Sequence, residues 1–517
     1  MLRRCGNRGL RAGNGVITRC VLRTKLYGQK KFCPPPKPRK GWEKEKKLKK
    51  FFGEFKKRTG KRWGKTAACR KRSVMIKKIV SVLFIAGLAL ATFSGCAGKG
   101  LLNPKKPVTL TMWHVYGEQA DSPMNRYVEE FNSTVGREKG VVIDVTLMSN
   151  ASQIGEKLIK AQQGKAGVPS MPDLFFCHTS NAAELGTENL VDWKKEFSEK
   201  ELSEFVEGFI ADGTENGVLA VLPVSKSTHL LFLAGSAFGR FAAEKKVTYQ
   251  DLATWDGFFG VAEKYYEYSG GKPFCALDYL LRSVELDAIS RGAKEFYSEN
   301  GWYNENEVLL GSYTKFANAI AKGHIVVSDL YSNTQVMTGQ TVSGISSSAA
   351  VLYYNEKITY PDNHWEHTNL KILPVPQAGV GEKYATQAGV GLCAYKTTDQ
   401  KTEAEKVFAQ WFTEEKRNLD FVAETGYMPV KNGAFDKLSD YAFKNDGFRD
   451  TYAALKLTRD SCVFLSESNA KGYFPKTYEL YGKIRNLQKD LKAKIAGGAT
   501  TEQLTSELVG LFRGIGN

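Results

Sequence analysis

Apolar and polar residues alternate along 108–113: Val108, Leu110 and Met112 fall on one side, Thr109, Thr111 and Trp113 on the other. A period of two predicts a strand. In "DSPMNRYVEEFN" the pattern changes to helical spacing. Ser122 is placed to cap, Pro123 suits the first helical position, and Met124, Tyr127, Val128 and Phe131 line one face. "GVVIDVTLM" predicts a second strand and "SQIGEKLIKAQQ" a second helix with Ile154, Leu158 and Ile159 on one side. "PDLFF" then gives a third strand. The βαβαβ order predicts a mostly parallel sheet with helices on both faces, an α/β fold.

Further on, "NGVLAVLPVSKSTHLLFL" (217–233) reads as paired strands meeting at a loop, and 248–268 as helical. "KGHIVVSDLYSNTQVMTGQTVSGISSSAAVL" brings more β character, and "NLKILPVPQAGVGEKYATQAGVGLCAYK" reads as strand, polar loop, strand. From Lys401 to Gly426 the spacing of Ala404, Val407, Phe408, Trp411 and Phe412 predicts one strong helix ended by Gly426. Near the C-terminus, Thr500 and Gln503 suit a capping box before Leu504, Leu508 and Leu511.

Charge divides the chain. Residues 1–74 hold 26 Lys/Arg against 3 Asp/Glu, a net of +23; with +18 for the whole chain, residues 75–517 carry −5. Between them stands "MIKKIVSVLFIAGLALATFSGC": two lysines, a short apolar run, then small residues before Cys96. That is the layout of an export signal, 75–95, and the run is short for a spanning helix. The ending resembles a bacterial lipobox, which implies lipidation of Cys96, a membrane tether and a linker over 96–106. An uncleaved signal anchor is the alternative. An export signal acts at an N-terminus, so Met75 is the expected start and 1–74 an upstream, disordered basic extension. The other reading makes 1–74 a basic arm for nucleic acid or anionic lipid. With Met75 as the start the exported part is mildly acidic, which argues against a nucleic-acid partner.

Four of the nine Cys lie in 1–74 and one is Cys96. Cys177 and Cys393 sit in apolar strand-like runs, which favours buried thiols, with pairing open in an oxidising compartment. Motifs for catalysis are incomplete. "SYTK" (312–315) lacks an accompanying Lys-Thr-Gly, "HWEH" (364–367) lacks a third metal ligand, and "GVGEKYATQAGVG" opens no helix. No enzyme activity, metal or cofactor is expected.

Five landmarks, in order, resemble the family 1 extracellular solute-binding proteins of ABC importers, the group containing maltose- and glycerol-3-phosphate-binding proteins. They are "LTMWHVYGEQADSPMNRYVEEFN", "LAVLPVSKSTHLLF", "ATWDGF", "LPVPQAG…TQAGVGLCAYK" and "AETGYMPV". "LFLAGSAF" departs from the family's Tyr-Tyr-Asn, so no role is carried there. The resemblance implies a periplasmic-binding-protein-like fold: two α/β lobes joined by several crossing segments, with a ligand cleft between them. Lobe 1 would take 107–224 and 384–427, and lobe 2 225–383 and 428–517. It also implies a monomeric, exported carrier that closes on a small polar solute and delivers it to ABC permease transmembrane subunits.

A cleft for a polyol wants aromatic faces and neutral hydrogen-bonding groups. Trp113 ends the first strand, where ligands bind in parallel sheets, and His114 and Tyr116 share its loop. His178 and Ser180 follow the third strand in the same sense. Core packing for Trp113 and loop capping for Ser180 are the competing explanations. The resemblance adds Ser225 and Ser227 on the first crossing, Tyr279, Ser346 and Ser347, Gln387 and Gly389 on the return crossing, and Tyr427. Tyr331 is a further candidate. A phosphate ligand would call for an Arg near the final crossing, where "AKGYFPKTYEL" has Lys471 and no Arg, so a sugar is favoured over glycerol-3-phosphate. A secreted enzyme is the alternative of another class.

Overall fold

The computed structural model describes residues 100–116, 122–147, 151–297, 302–303, 306–466 and 473–515. The extension, the export signal, Cys96 and Lys471 lie outside them. In chain order the strands that matter below are β1 (Val108–His114), β2 (Val141–Leu147), β3 (Leu174–Cys177), β4 (His229–Ala234), β5 (Cys275–Leu277) and β6 (Ile325–Val326), followed by β7 (Ser343–Ser347), β8 (Leu370–Pro374), β9 (Tyr384–Gln387), β10 (Gly391–Ala394) and β11 (Val463–Ser466). The helices that matter below are α1 (Pro123–Ser133), α2 (Ala151–Gln162), α3 (Thr179–Leu185), α4 (Glu207–Asp212), α5 (Leu280–Ser290), α6 (Glu307–Ala321), α7 (Asp399–Phe412), α8 (Glu415–Thr425), α9 (Asp446–Ser461), α10 (Tyr473–Ala496) and α11 (Thr501–Arg513).

The first lobe is built on a four-stranded sheet in the order β10-β3-β1-β2, with β1 parallel to both β2 and β3 and β10 antiparallel to β3. Both of its faces are covered. Leu110, Met112, Leu174 and Phe176 pack with Met124 and Phe131 of α1, Phe408 of α7 and Phe421 of α8. On the opposite face Trp113, Phe175, Cys177 and Cys393 pack with Ile154 and Leu158 of α2 and Ala182 of α3. A strand buried on both sides cannot keep a polar face, which is why the run 174–177 is wholly apolar.

The second lobe has a five-stranded sheet in the order β8-β4-β7-β5-β6. One face packs against α5, α6, α10 and α11 through Leu281, Phe316, Leu480 and Leu508. On the other, Leu230, Phe232 and Ile372 join Phe448 and Leu455 of α9 in the same apolar cluster that fills the first lobe. One continuous core therefore links the lobes.

Three stretches carry the chain between the sheets and bond to one another. Leu222 pairs with Leu392, Ser227 with Ala388 and Lys226 with Met428, all antiparallel. Ser227 N–H donates to Ala388 O at 2.9 Å and Ala388 N–H returns to Ser227 O at 3.0 Å. Gly389 sits inside this lace at φ +123, where a Cβ would stand 3.2 Å from Ser225 O. Only glycine takes that conformation without strain. β9 pairs with β11 and packs against α5, while Gln387 at its end reaches Gly208 O of α4.

Local expectations hold in most places. Pro123 opens α1 and the box Thr500–Gln503 caps α11. Ser122 makes no capping bond and donates instead to Tyr116 O. The single helix expected over 401–426 is two, because the Glu414 carboxylate accepts from Lys416 N–H and Arg417 N–H and starts α8 afresh. Gly426 then ends α8 in the left-handed region. Ser312 of "SYTK" donates to Asp287 at 2.6 Å while Lys315 pairs with Asp256, so the two serve separate helix contacts.

Glu405 of α7 is fully buried, and neither carboxyl oxygen has a hydrogen-bond partner. Burial, then the charge of Asp173, pushes its pKa up to about 9. The folded state thus holds a proton that the unfolded chain releases near pH ~4.3, and stability drains as pH rises through that window. Glu405→Gln keeps the shape without the proton. Its Tm is expected to match wild type at about pH 4 and to exceed it by roughly 3 °C or more at pH 8; a pH-independent gap would contradict the assignment. Gly389→Ala should cost about 2 kcal/mol in urea unfolding, and a change under about 0.5 kcal/mol would show that the crossing tolerates a side chain.

Candidate functional site at the inter-lobe crossing

The crossing buries an unusual run of polar residues: Ser225, Lys226, Ser227, Thr228 and His229 are all at most 4% exposed. Their backbone is committed to the lace and to β4, so the side chains must find partners across the lobes. Ser225 Oγ and Tyr116 OH are 3.0 Å apart. The Tyr116 ring meets Tyr427 edge to face at 5.7 Å between centroids, and Phe176 and Phe421 similarly. Ser348 N–H donates to Thr228 O at 2.8 Å, and Ser348 O lies 2.8 Å from where a Cβ on Gly426 would stand. Tyr427 thus follows a glycine packed against Ser348 and turns its ring toward Tyr116. Thr228 Oγ1 and Ser348 Oγ are buried there with no hydrogen-bond partner, an arrangement that costs free energy unless something bonds them.

The charges at the crossing are already matched. Lys226, 1% exposed, pairs with Asp212 of α4. Arg282 of α5 pairs with Glu285 at 2.9 Å and donates to Thr386 Oγ1 at 2.7 Å and to the carbonyls of Leu465 and Ser466, which fastens β9 and β11 to α5. Beside these cations two histidines stay neutral. Burial, then Lys226, holds His178 down to about 4, and burial, then Arg282, holds His229 down to about 3. Asp278 on the second lobe is pushed up to about 6 by burial, against hydrogen bonds from Ser346 and Ser332.

The structure sorts the sequence candidates. Trp113 is 2% exposed inside the apolar layer under α2, the core packing that competed with a stacking role, on a face of the sheet as covered as the other. His114 is buried and structural. Its Nε2–H bonds Asn125 Oδ1 at 2.9 Å and its Nδ1 accepts from Tyr116 N–H. His178 stands at the start of α3 without a capping bond, and Ser180 is half-buried in the first turn of that helix. Ser227 lies in the lace. Tyr279 stacks on His229 with centroids 4.1 Å apart, Ser346 lies against Asp278, and Ser347 caps the short helical turn 348–353. Gln387 reaches across, donating to Gly208 O of α4 at 3.3 Å and to Ser466 Oγ at 3.2 Å. Tyr331 is 63% exposed at the start of the helix Ser332–Met337.

Ser225, Tyr116, Tyr427, Gln387 and Gly389 therefore come together at the crossing, whereas Trp113 and His114 do not open onto it. Sequence reasoning missed Thr228, His229, Ser348 and Tyr353. Tyr353 is 47% exposed and close enough to Tyr427 that its charge, after burial, raises the Tyr427 phenol. Each of the four adjoins a chosen residue or segment, so the signal was proximity to "SKS", "SGISS" and the aromatic that follows it. Among the described residues no group of His, Cys, Asp and Glu is placed to hold a metal ion.

The model of a family described as "Bacterial extracellular solute-binding protein" matches residues 126–447, more than half of the chain. No curated protein matches it. Among solved structures, the cyclic α-maltosyl-1,6-maltose binding protein of Arthrobacter globiformis superposes with a TM-score of 0.58 at 16% identity, covering 79% of this chain and 99% of that one. An ABC substrate-binding protein of Listeria monocytogenes in complex with cycloalternan gives 0.59 at 13% identity, over 80% and 100%. UgpB of Mycobacterium tuberculosis in complex with glycerophosphocholine gives 0.57 at 16%, over 79% and 98%. At these identities the likeness is one of fold: two α/β lobes joined by crossing segments. With the family match, it establishes that the chain belongs to the bacterial extracellular solute-binding proteins.

Proposed function

We propose that this protein is the substrate-binding component of an ABC importer and that it holds a neutral carbohydrate, a sugar or oligosaccharide, where its lobes meet. The observation that carries the reading is that Thr228 Oγ1 and Ser348 Oγ are buried at the crossing without hydrogen-bond partners, in a stretch whose Ser225 meets Tyr116, itself against the ring of Tyr427. Hydroxyl donors and acceptors match a polyol, and tyrosine faces match the C–H face of a sugar ring. Ligand contacts made by both lobes would favour a closed arrangement, since only differential affinity shifts that equilibrium. The carrier works as a monomer tethered through lipidated Cys96, and it passes its solute to the permease.

An anionic ligand such as a glycerophosphodiester is the second reading, because one structural relative carries glycerophosphocholine. It is disfavoured by the prior engagement of Lys226 with Asp212 and of Arg282 with Glu285. A buried phosphate would have to break one of those pairs.

Isothermal titration with maltooligosaccharides, chitooligosaccharides, glycerol-3-phosphate and glycerophosphocholine separates the readings. A neutral oligosaccharide should bind with a micromolar or lower Kd and the phosphates should not. Ser348→Ala and Thr228→Val should each weaken that binding about tenfold, and Tyr427→Ala by more, with circular dichroism confirming that each variant folds. Phosphate binding with no response to sugars would overturn the proposal.

A further inference from the structure

The described residues include four cysteines, and two of them are neighbours. Cys177 ends β3 and Cys393 lies in β10, the edge strand beside it. In the antiparallel register Cys177 faces Gly391 and Cys393 faces Phe175, so the two are diagonal on one face of the sheet. Glycine opposite Cys177 leaves no side chain between them. Their sulfurs are 3.6 Å apart and fully buried in the apolar layer beneath α2. Cys275 and Cys462 lie elsewhere, Cys275 in the second lobe's core and Cys462 half-exposed after α9.

We propose that Cys177 and Cys393 form a disulfide when the protein matures outside the cytoplasm, and that this bond staples β10 to the sheet. Membership of an extracellular family places the chain in an environment where disulfides form and persist. Bringing the sulfurs from 3.6 Å to a bond length of about 2.05 Å asks for rotation of both side chains and, because diagonal neighbours on a sheet stand about 7–8 Å apart at Cα, a local approach of β10 to β3. The oxidant is a disulfide, either of low molecular weight or on an exported thiol oxidoreductase. One Cys thiolate attacks it and releases one thiol. The second Cys thiolate then attacks the mixed disulfide and releases the other. The products are the Cys177–Cys393 bond and two reduced thiols, with two electrons passed to the oxidant and the protons carried by the departing thiols.

In the folded chain, burial, then the neighbouring Cys177, raises the Cys393 thiol, so thiolate is scarce and exchange occurs while the chain is folding. The consequence falls on the crossing. In its sheet β10 hydrogen-bonds to β3 alone, and it follows directly on the Ala388–Gly389 part of the lace. A bond closing a separation of 216 residues restricts the unfolded ensemble strongly and anchors the return crossing to the first lobe.

Full-length protein exported and purified without reductant is denatured, alkylated and digested for mass spectrometry. The expected product is a linked peptide pair containing Cys177 and Cys393, which separates into two thiol peptides on reduction, with Cys275 and Cys462 alkylated from the start. Alkylation of Cys177 and Cys393 without reductant, or either joined to a different cysteine, overturns the proposal. Reductant should also lower the wild-type Tm by ~5 °C or more and leave that of a Cys177→Ala/Cys393→Ala double variant unchanged. A wild-type Tm indifferent to reductant overturns the stapling of β10. None of these readouts involves ligand, so the result is independent of the proposed carbohydrate.

Discussion

Between the two sheets, the backbone hydrogen bonds joining Leu222 to Leu392, Lys226 to Met428 and Ser227 to Ala388 hold three stretches of chain side by side. Most of what is distinctive in the molecule follows from that lace. It buries a polar stretch, 225–229, that no strand-to-helix layer would accept. It demands a residue without a side chain at Gly389, and it brings Tyr116 of the first lobe's opening loop against Ser225 and Tyr427. Because its backbone groups satisfy one another, the side chains are left to meet across lobes or to wait for a ligand.

The electrostatics follow the same economy. A cation buried alone would be costly, so Lys226 and Arg282 are each matched to a carboxylate within reach. The histidines beside them respond by staying uncharged, His178 near Lys226 and His229 near Arg282. The result is a crossing rich in hydrogen-bonding atoms whose formal charges are already engaged. Under the proposed function, such a crossing would discriminate by hydroxyl pattern and ring shape more than by charge.

Much of this architecture was legible in the chain. The alternation in 108–112, the apolar face of α1 and the box at Thr500 each reflect contacts within a few residues, which sequence spacing reports well. Trp113 shows where that reading ends. Alternation correctly put it on the face opposite Met112, but only the structure shows α2 lying over that face, which turns a strand-end aromatic into core. Glu414 starts a second helix because its carboxylate reaches two backbone amides, an event that hydrophobic period does not record. Thr228 and Ser348 are distant in sequence and meet through one backbone bond, so adjacency to Ser227 and Ser347 hinted at each without showing that the two belong together. The same holds for the thiols of Cys177 and Cys393, recognisable as buried strand residues but paired only by the antiparallel register of β3 and β10.

A crystal structure of the protein with a bound oligosaccharide tests the central claim most directly. The account predicts sugar hydroxyls within hydrogen-bond distance of Thr228 Oγ1 and Ser348 Oγ, a ring face against Tyr427, and the Lys226–Asp212 and Arg282–Glu285 pairs intact. Sugar bound away from the crossing, or a ligand that takes Lys226 or Arg282 from its carboxylate, would contradict it.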